Sequence, residues 1–146
     1  MSKVSIYLNF SNQTEEAFLY YQSVFGTKIT EPGFRRFGDM PPMEGMPPLP
    51  DNLKNGVMHV ELAITGGFKI MGTDAPNEMG FNVKFGNNVY INLEPDTRAE
   101  TKRLFDALSD GGKVEQELSD MFWGAYFGSC EDKYGVRWMF NCEEKA

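Results

Sequence analysis

An internal repeat is the feature of this sequence that most constrains its fold. Residues 5–10 (SIYLNF) are similar to residues 88–93 (NVYINL), and residues 67–71 (GFKIM) are similar to residues 135–139 (GVRWM). Repeats of roughly 70 residues indicate two copies of one strand-helix-strand unit that bury a core together. We expect the two copies to enclose a space, and we expect function to lie in that space.

Composition and charge limit the partners that this chain can have. With 41% apolar and 14% aromatic residues, the 146-residue chain can bury the core of a single domain. A net charge of −7 argues against nucleic acid and anionic membranes, because both bind basic surfaces. No apolar run approaches the ~20 residues of a membrane span, and the N terminus leads into a strand pattern rather than a signal peptide. We therefore predict a cytoplasmic protein without a nucleic-acid or membrane partner.

Hydrophobic periodicity predicts the element order β-α-β-β-β, twice over. An Asn12-x-x-Glu15 capping box opens the first helix, and a Thr97-x-x-Glu100 box opens the second. The strands are predicted at 6–10, 27–34, 58–64 and 68–73 in the first copy, and at 88–93, 113–117, 125–130 and 136–142 in the second. The fold class is α+β in one domain, 1–146, with module one at 1–76, a linker at 77–86 and module two at 87–146.

A proline- and methionine-rich segment, residues 35–56, interrupts this order. It contains five prolines and three methionines, namely Pro41, Pro42, Pro47, Pro48 and Pro50 with Met40, Met43 and Met46. Proline removes hydrogen-bond donors, so the segment is not predicted to join a sheet. Its length of about 22 residues exceeds that of ordinary loops, which leaves a lid, an arm over a partner subunit and a mobile insertion as alternatives.

The two cysteines are predicted to be free thiols. Residues 132–135 (DKYG) are typical of a hairpin tip, which would place Cys130 roughly opposite Arg137. Cys142 would then lie on the order of 16 Å further along the strand, too far for a disulfide.

Alternation along the strands predicts two faces with different characters. One set is uniformly apolar and is expected to cover the helices: Ile6, Leu8, Phe10, Met58, Val60, Leu62, Val89, Ile91, Leu93, Val136, Trp138 and Phe140. The opposite set is mixed, as the lining of a ligand cavity commonly is: Tyr7, Asn9, His59, Glu61, Lys69, Met71, Tyr90, Asn92, Arg137, Met139 and Asn141. An aromatic cluster, Phe122, Trp123, Tyr126 and Phe127, either stacks on a flat ligand or plugs the core.

Motifs spread along nearly the whole chain resemble a known superfamily. They are YLNF at 7–10, EEAF at 15–18 with FG at 25–26, MGTD at 71–74, FWG at 122–124, and DKYGV at 132–136 with WM at 138–139. Together they resemble the vicinal oxygen chelate superfamily, which includes glyoxalase I, extradiol dioxygenases and bleomycin-resistance proteins, and most closely its PhnB-like branch. The resemblance implies a cup-shaped mixed sheet of two βαβββ modules with helices on its outer face, usually in a homodimer.

The resemblance also implies where a metal would bind. Metal-using members carry one ligand on the first strand and one on the last strand of each module, typically His and Glu. Aligning the repeats places Tyr7 and Tyr90 at the first-strand positions, and Met71 and Met139 at the last-strand positions. Phenols and thioethers are poor ligands for hard or borderline divalent ions, so no metal is predicted there. Members of this branch have carried a methyltransferase label, but no glycine-rich nucleotide-binding turn is present and no cofactor is predicted.

His59, the only histidine, is the best candidate for acid–base chemistry. A strand places it on the same face as Glu61, so the two residues form either a general acid/base pair or a structural pair. A metal site built from His59, Glu61 and Asp74 is a third alternative. Arg137 and Lys69, at matching places in the repeats, suggest an anionic ligand, although solvated strand ends explain them equally well.

The preferred hypothesis is a homodimeric, metal-free protein that binds an unknown small molecule. Its ligand-binding residues are predicted to be Tyr7, Asn9, Met71, Tyr90, Asn92, Trp123, Arg137 and Met139. The alternative is a lyase or isomerase that uses His59 and Glu61 as catalytic residues, with or without a metal. A third possibility is an interaction module that docks on a partner through the proline- and methionine-rich segment.

Overall fold

The computed structural model describes residues 1–41 and 44–146; Pro42 and Met43, which belong to the proline- and methionine-rich segment, lie outside the described residues. The chain divides into two compact units, Met1–Val83 and Lys84–Ala146, and this boundary falls within segment 77–86. Each unit contains one four-stranded mixed sheet and one α-helix. Neither of these helices has the length and apolar character that a membrane span requires.

Unit 1 is built around a sheet with the strand order β1-β4-β3-β2. Its elements are β1 (Ile6–Phe10), α1 (Thr14–Phe25), β2 (Arg35–Arg36), β3 (Val57–Ala63) and β4 (Lys69–Asp74). β1 runs parallel to β4, whereas the β3–β4 and β2–β3 pairs are antiparallel. α1 packs on β3 and β4 and buries Ala17, Phe18 and Tyr21 completely. A Cβ atom on Gly72 of β4 would overlap the ring of Phe18, so glycine is needed for this close approach.

Unit 2 repeats this arrangement with the strand order β5-β8-β7-β6. Its elements are β5 (Ile91–Leu93), α2 (Arg98–Ser109), β6 (Lys113–Asp120), β7 (Tyr126–Glu131) and β8 (Arg137–Cys142). α2 buries Leu104, Phe105 and Leu108, and the Phe105 ring meets Phe140 of β8 edge-on at 5.3 Å between centroids. β6 is an exposed edge strand whose register with β7 shifts twice.

A buried carboxylate organises the hairpin between β7 and β8. Asp132 Oδ1 accepts hydrogen bonds from the backbone N–H groups of Tyr134 (2.8 Å) and Val136 (3.0 Å). Its Oδ2 accepts a hydrogen bond from Trp138 Nε1 at 2.9 Å. The predicted hairpin tip is therefore confirmed, and one side chain links it to the largest buried ring of the unit.

Both cysteines are free, as predicted, and both are buried. Cys130 pairs across the hairpin with Trp138 rather than with Arg137, which instead lies opposite Glu131. Burial raises the pKa of the Cys130 thiol to about 12.

Several sequence predictions in unit 1 are wrong. Asn12 does not cap α1, which begins at Thr14; the backbone N–H of Thr14 instead donates to Asp74 Oδ1, far along the chain on β4. No strand covers 27–34, where an isolated bridge joins Ile29 to Leu62, and β2 comprises only the next two residues. Val57 takes the buried place expected of Met58, because the register of β2 and β3 is irregular there.

In unit 2, the Thr97 cap is confirmed and one strand is shorter than predicted. Thr97 Oγ1 accepts a hydrogen bond from the backbone N–H of Glu100 at 3.1 Å. β5 begins at Ile91, so Tyr90 precedes the strand, and Val89, expected to be buried, is exposed.

The described part of segment 35–56 is anchored at its base. The N–H groups of Phe37 and Gly38 donate to the carbonyls of Gly56 and Lys54. Phe37 and Leu53 are buried, whereas Met40 and Met46 are exposed. The described residues of the segment thus form a base that packs on the fold and an exposed part that carries two methionines.

Candidate functional site

The open face of unit 1, meaning the sheet face away from α1, carries the residues that the alternation predicted. Tyr7 and Glu61 both lie opposite Met71, one on each side of it, in the register of β1, β4 and β3. The neighbours of Met71 along β4, Ile70 and Gly72, are buried beneath the helix. This face comprises Tyr7, Asn9, His59, Glu61, Lys69, Met71 and Thr73, all of them exposed or half-buried.

His59 contacts Tyr7. The hydroxyl of Tyr7 lies 3.0 Å from His59 Nδ1, and the ring centroids are 5.7 Å apart. Burial raises the pKa of Tyr7, so the phenol keeps its proton at neutral pH. Two arrangements satisfy the contact: the phenol donates to Nδ1, or an Nδ1–H group donates to the phenol oxygen. In both arrangements Nε2 is the ring nitrogen that Tyr7 does not engage.

Glu61 has a different partner from His59, although the strand places both on one face. Its Oε2 lies 3.0 Å from Lys69 Nζ, and the hydrogen bond to Lys69 lowers the pKa of Glu61. The carboxylate is therefore held in its charged form by an ammonium group. The structure gives no hydrogen bond between His59 and Glu61, and each is engaged elsewhere.

A cleft of about 250 Å³ opens beside His59 and Glu61. It is lined by Thr30, Glu31, Pro32, Gly33, Arg35, His59 and Glu61. Arg35 was not among the candidates from the sequence, because the two-residue strand that carries it lies outside the predicted strand. A signal was present in the Arg35-Arg36 pair, since successive residues of a strand point to opposite faces.

The open face of unit 2, meaning the sheet face away from α2, is centred on Met139. Asn92 and Ser129 lie opposite Met139 on the neighbouring strands β5 and β7. Tyr7 pairs with Met71 in unit 1, and Asn92 pairs with Met139 in unit 2. Asn92 is therefore the structural equivalent of Tyr7. The repeat alignment, which had placed Tyr90 at that position, was wrong there.

Arg137 is already paired on this face. Its guanidinium lies 3.4 Å from carboxylate oxygens of both Glu115 and Glu131, and it also donates to the carbonyl of Gly86. The Tyr90 hydroxyl donates to Glu115 at 2.8 Å, and this hydrogen bond raises the pKa of Tyr90. Neither glutamate was among the candidates from the sequence, because no residue pattern links Glu115 or Glu131 to Arg137. An anion would have to displace two carboxylates to reach this arginine.

The aromatic cluster does not plug the core of unit 2. Phe122 is 98% exposed and Trp123 is 54% exposed, and the two rings meet edge-on at 5.0 Å between centroids. Trp123 also contacts the Phe127 ring, whereas Tyr126 lies beneath the guanidinium of Arg98. Of the two alternatives, only the one that leaves the rings available to a ligand agrees with this exposure.

The residues at the family's metal positions do not fit a divalent ion. The first and last strands supply a phenol and a thioether in unit 1, and an amide and a thioether in unit 2, at Tyr7, Met71, Asn92 and Met139. Such sets lack the imidazole and carboxylate donors that divalent ions prefer. Within residues 1–41 and 44–146, no three His, Cys, Asp or Glu side chains form a group that could hold a metal, and this includes His59, Glu61 and Asp74.

Comparisons with known proteins agree with this architecture. The model of a family described as 3-demethylubiquinone-9 3-methyltransferase matches residues 2–140. Protein YjdN of Escherichia coli (strain K12) is 31% identical over 143 residues, which cover 94% of this chain and 93% of that protein. The solved structure of protein PA1353 from Pseudomonas aeruginosa is 34% identical, covers 98% of each chain and has a TM-score of 0.81. The PhnB protein from Bacillus cereus is 25% identical, with coverage of 97% and 99% and a TM-score of 0.75.

The repeated βαβββ units and their strand order define a protein with the fold of the glyoxalase/bleomycin resistance/dioxygenase superfamily. The chain belongs to the PhnB-like family, whose model has the 3-demethylubiquinone-9 3-methyltransferase description given above.

Proposed function

We propose that this protein binds a small organic molecule, without a metal, on the open faces of its two sheets. The observation that carries the proposal is the same on both sheets. A methionine thioether forms the centre of each face, and the charged side chains beside it are engaged in ion pairs within the chain.

These side chains are better suited to contact with an organic ligand than to contact with bulk water or to coordination of a metal ion. Thioethers are polarizable and adapt to apolar shapes, and Tyr7 adds an aromatic surface with a polar tip beside Met71. Asn92 offers an amide donor and acceptor beside Met139. A polarizable side chain at the centre with a few polar groups around it gives a small molecule both apolar contact and an orientation.

The proposal includes a homodimer in the cytoplasm. Its support is the family to which the chain belongs and the absence of a membrane-spanning helix from the described residues. Light scattering tests the dimer: a mass near twice 16.5 kDa supports it, and a mass of 16.5 kDa contradicts it.

The ligand-binding proposal is tested with methyl-labelled methionine and a fragment set of neutral aromatic compounds. We expect fragments to shift the methyl signals of Met71 or Met139, and Met71→Gln and Met139→Gln to weaken binding about tenfold. Met79→Gln is the matched control, because Met79 is partly exposed outside both sheets. The proposal fails if tight stoichiometric binding of Ni, Zn, Mn or Fe is measured, or if no fragment perturbs either face.

A second candidate is a lyase or isomerase, and the Tyr7–His59 contact favours it over a purely passive surface. Nε2 is the ring nitrogen that Tyr7 does not engage, so His59 would exchange protons with a substrate through Nε2, while Tyr7 orients the ring through Nδ1. In that case His59→Gln and Tyr7→Phe reduce turnover, whereas Glu61→Gln, at a residue held by Lys69, has a smaller effect. Equal losses for all three variants would contradict this assignment of roles.

A further inference from the structure

We propose that Arg35 and His59 form a site for the carboxylate group of an organic ligand, in the cleft of unit 1. The inference rests on the proposed function, because it names the chemical class of ligand that the open face of unit 1 accepts. Arg35 is outside the set of residues that the sequence pointed to, and neither Arg35 nor the cleft occupies a metal position of the family.

Backbone register places Arg35 beside His59. The two residues are direct partners in the antiparallel pairing of β2 with β3, so their side chains leave the sheet on the same face. The next residue, Arg36, leaves on the opposite side, where its two terminal nitrogens bind Glu15 at 2.8 and 2.9 Å. Arg36 therefore forms a structural ion pair, whereas Arg35 lines the cleft.

The guanidinium of Arg35 differs from those of the other arginines in its surroundings. Within residues 1–41 and 44–146, no hydrogen bond or ion pair engages its side chain, whereas Arg36, Arg98, Arg103 and Arg137 each have a carboxylate partner. A planar guanidinium presents two parallel N–H donors, which match the two oxygens of a carboxylate. Arg35 is therefore the cation of the cleft that is available to a ligand.

His59 supplies a further donor. Its Nδ1 is occupied by the Tyr7 hydroxyl, so Nε2 is the ring nitrogen that faces a ligand, and the proposed site uses it as an N–H donor. The contact with Tyr7 also restricts the ring, so the donor is oriented before a ligand arrives. One arginine fork and one imidazole N–H together satisfy a single carboxylate.

The surrounding charges favour a carboxylate over a phosphate dianion. Glu61 also lines the cleft, but its charge is neutralised by Lys69, and Thr30 forms a hydrogen bond with it. Glu31 lines the cleft as well. With one carboxylate close by, a doubly charged group is repelled more than a singly charged one.

The size of the cleft fits this class of ligand. A volume of about 250 Å³ is below the range of complete small-molecule pockets, so it suits the charged end of a ligand whose remainder lies elsewhere. Tyr7 and Met71 lie on the same face as His59 and offer an apolar surface for that remainder.

The experiment compares benzoate, benzamide and phenyl phosphate as probes of the intact protein. His59 is the only histidine, so its imidazole gives one set of NMR signals that reports on the cleft without assignment of other rings. We expect benzoate to shift these signals with a Kd of about 1–10 mM, and benzamide and phenyl phosphate to bind at least about tenfold more weakly. Arg35→Met should weaken benzoate binding about tenfold or more, and Arg35→Lys should recover part of it, because lysine keeps the charge but lacks the fork.

Arg103→Met is the matched control, since it removes the same group from an exposed ion pair on α2. It should leave the benzoate affinity unchanged, which excludes a general effect of net charge. Tyr7→Phe should reduce the affinity a few-fold and change the ¹⁵N shifts of the imidazole, because it removes the contact at Nδ1.

The possible failures can be told apart. Equal affinities for benzoate and benzamide, unchanged benzoate binding in Arg35→Met, or probes that perturb the Met71 methyl but not His59 would overturn the carboxylate site and leave the proposed function standing. Probes that perturb neither His59 nor either methionine would count against both. Tighter binding of phenyl phosphate than of benzoate would replace the carboxylate with a phosphate and so contradict the inference as stated.

Discussion

Replacing Asp132 with asparagine changes one atom of the buried carboxylate and leaves its volume almost unchanged. In the native protein, Oδ1 accepts from two backbone N–H groups and Oδ2 accepts from the indole of Trp138. An asparagine has one acceptor oxygen and one NH₂ donor, so it satisfies either the backbone pair or the indole.

The favourable orientation keeps the two backbone hydrogen bonds and sets an NH₂ group against the indole N–H. A buried donor without an acceptor costs about 1–3 kcal/mol, and a charge-assisted bond is lost as well. The neutral amide avoids part of the cost of burying a charge, which reduces the net effect. We expect Asp132→Asn to lower the free energy of unfolding by about 2 kcal/mol and Asp132→Ala, which removes the whole carboxylate, to lower it by about 4 kcal/mol.

Urea unfolding at pH 7, followed by circular dichroism, measures both values. Asp110→Asn is the control, because Asp110 is exposed at the end of α2 and should change stability by less than about 0.5 kcal/mol. In a Trp138→Phe background the clash disappears, so Asp132→Asn should cost less by about 1 kcal/mol or more. If Asp132→Asn unfolds with the native midpoint, or costs the same in both backgrounds, the account of this hairpin is incorrect.

Three further predictions concern packing inside unit 1, an ion pair on its surface and a buried thiol in unit 2. Gly72→Ala should destabilise the protein by about 1–3 kcal/mol, because the new methyl overlaps the buried Phe18 ring, and a native melting temperature would contradict this. Arg36 lowers the pKa of Glu15, so the bridge stabilises the fold above the ordinary glutamate pKa and loses this effect as pH falls through the lowered value. Glu15→Gln should therefore cost up to about 1 kcal/mol in urea unfolding at pH 7 and nothing in strong acid, and an equal cost at both pH values would refute the assignment. Cys130, with its pKa raised to about 12, should react with a thiol reagent at pH 8 only after urea unfolding, and rapid labelling of the native protein would argue against its burial.

Much of the fold was predictable because the deciding signals were local. α2 has an N-cap residue, Thr97, whose side chain forms the capping hydrogen bond, and an apolar stripe at helical spacing. The turn at Asp132 has typical hairpin residues. Local periodicity also placed β3 and β4 within one residue of their observed limits. These elements could be predicted from the sequence because the residues that stabilise them lie within a few positions of one another.

The incorrect predictions share a dependence on distant contacts. The N terminus of α1 is satisfied by Asp74, which no local capping rule finds. Ile29 meets Leu62 through a single bridge, so a residue pattern typical of a strand does not extend into one. The charge environment of Arg137 depends on Glu115 and Glu131 from two other strands, which the sequence alone does not bring together.

The outer strand β6 affects the solubility of the protein and the choice of substitutions in it. It is an eight-residue strand at the border of its sheet, and straight borders of this kind can recruit the same strand of another molecule into fibrous aggregates. Two offsets in its pairing with β7, together with the acids Glu115, Glu117 and Asp120, make such recruitment unfavourable. Substitutions that straighten this border or replace its acids with apolar residues should therefore be expected to lower solubility before they alter the stability of the folded chain.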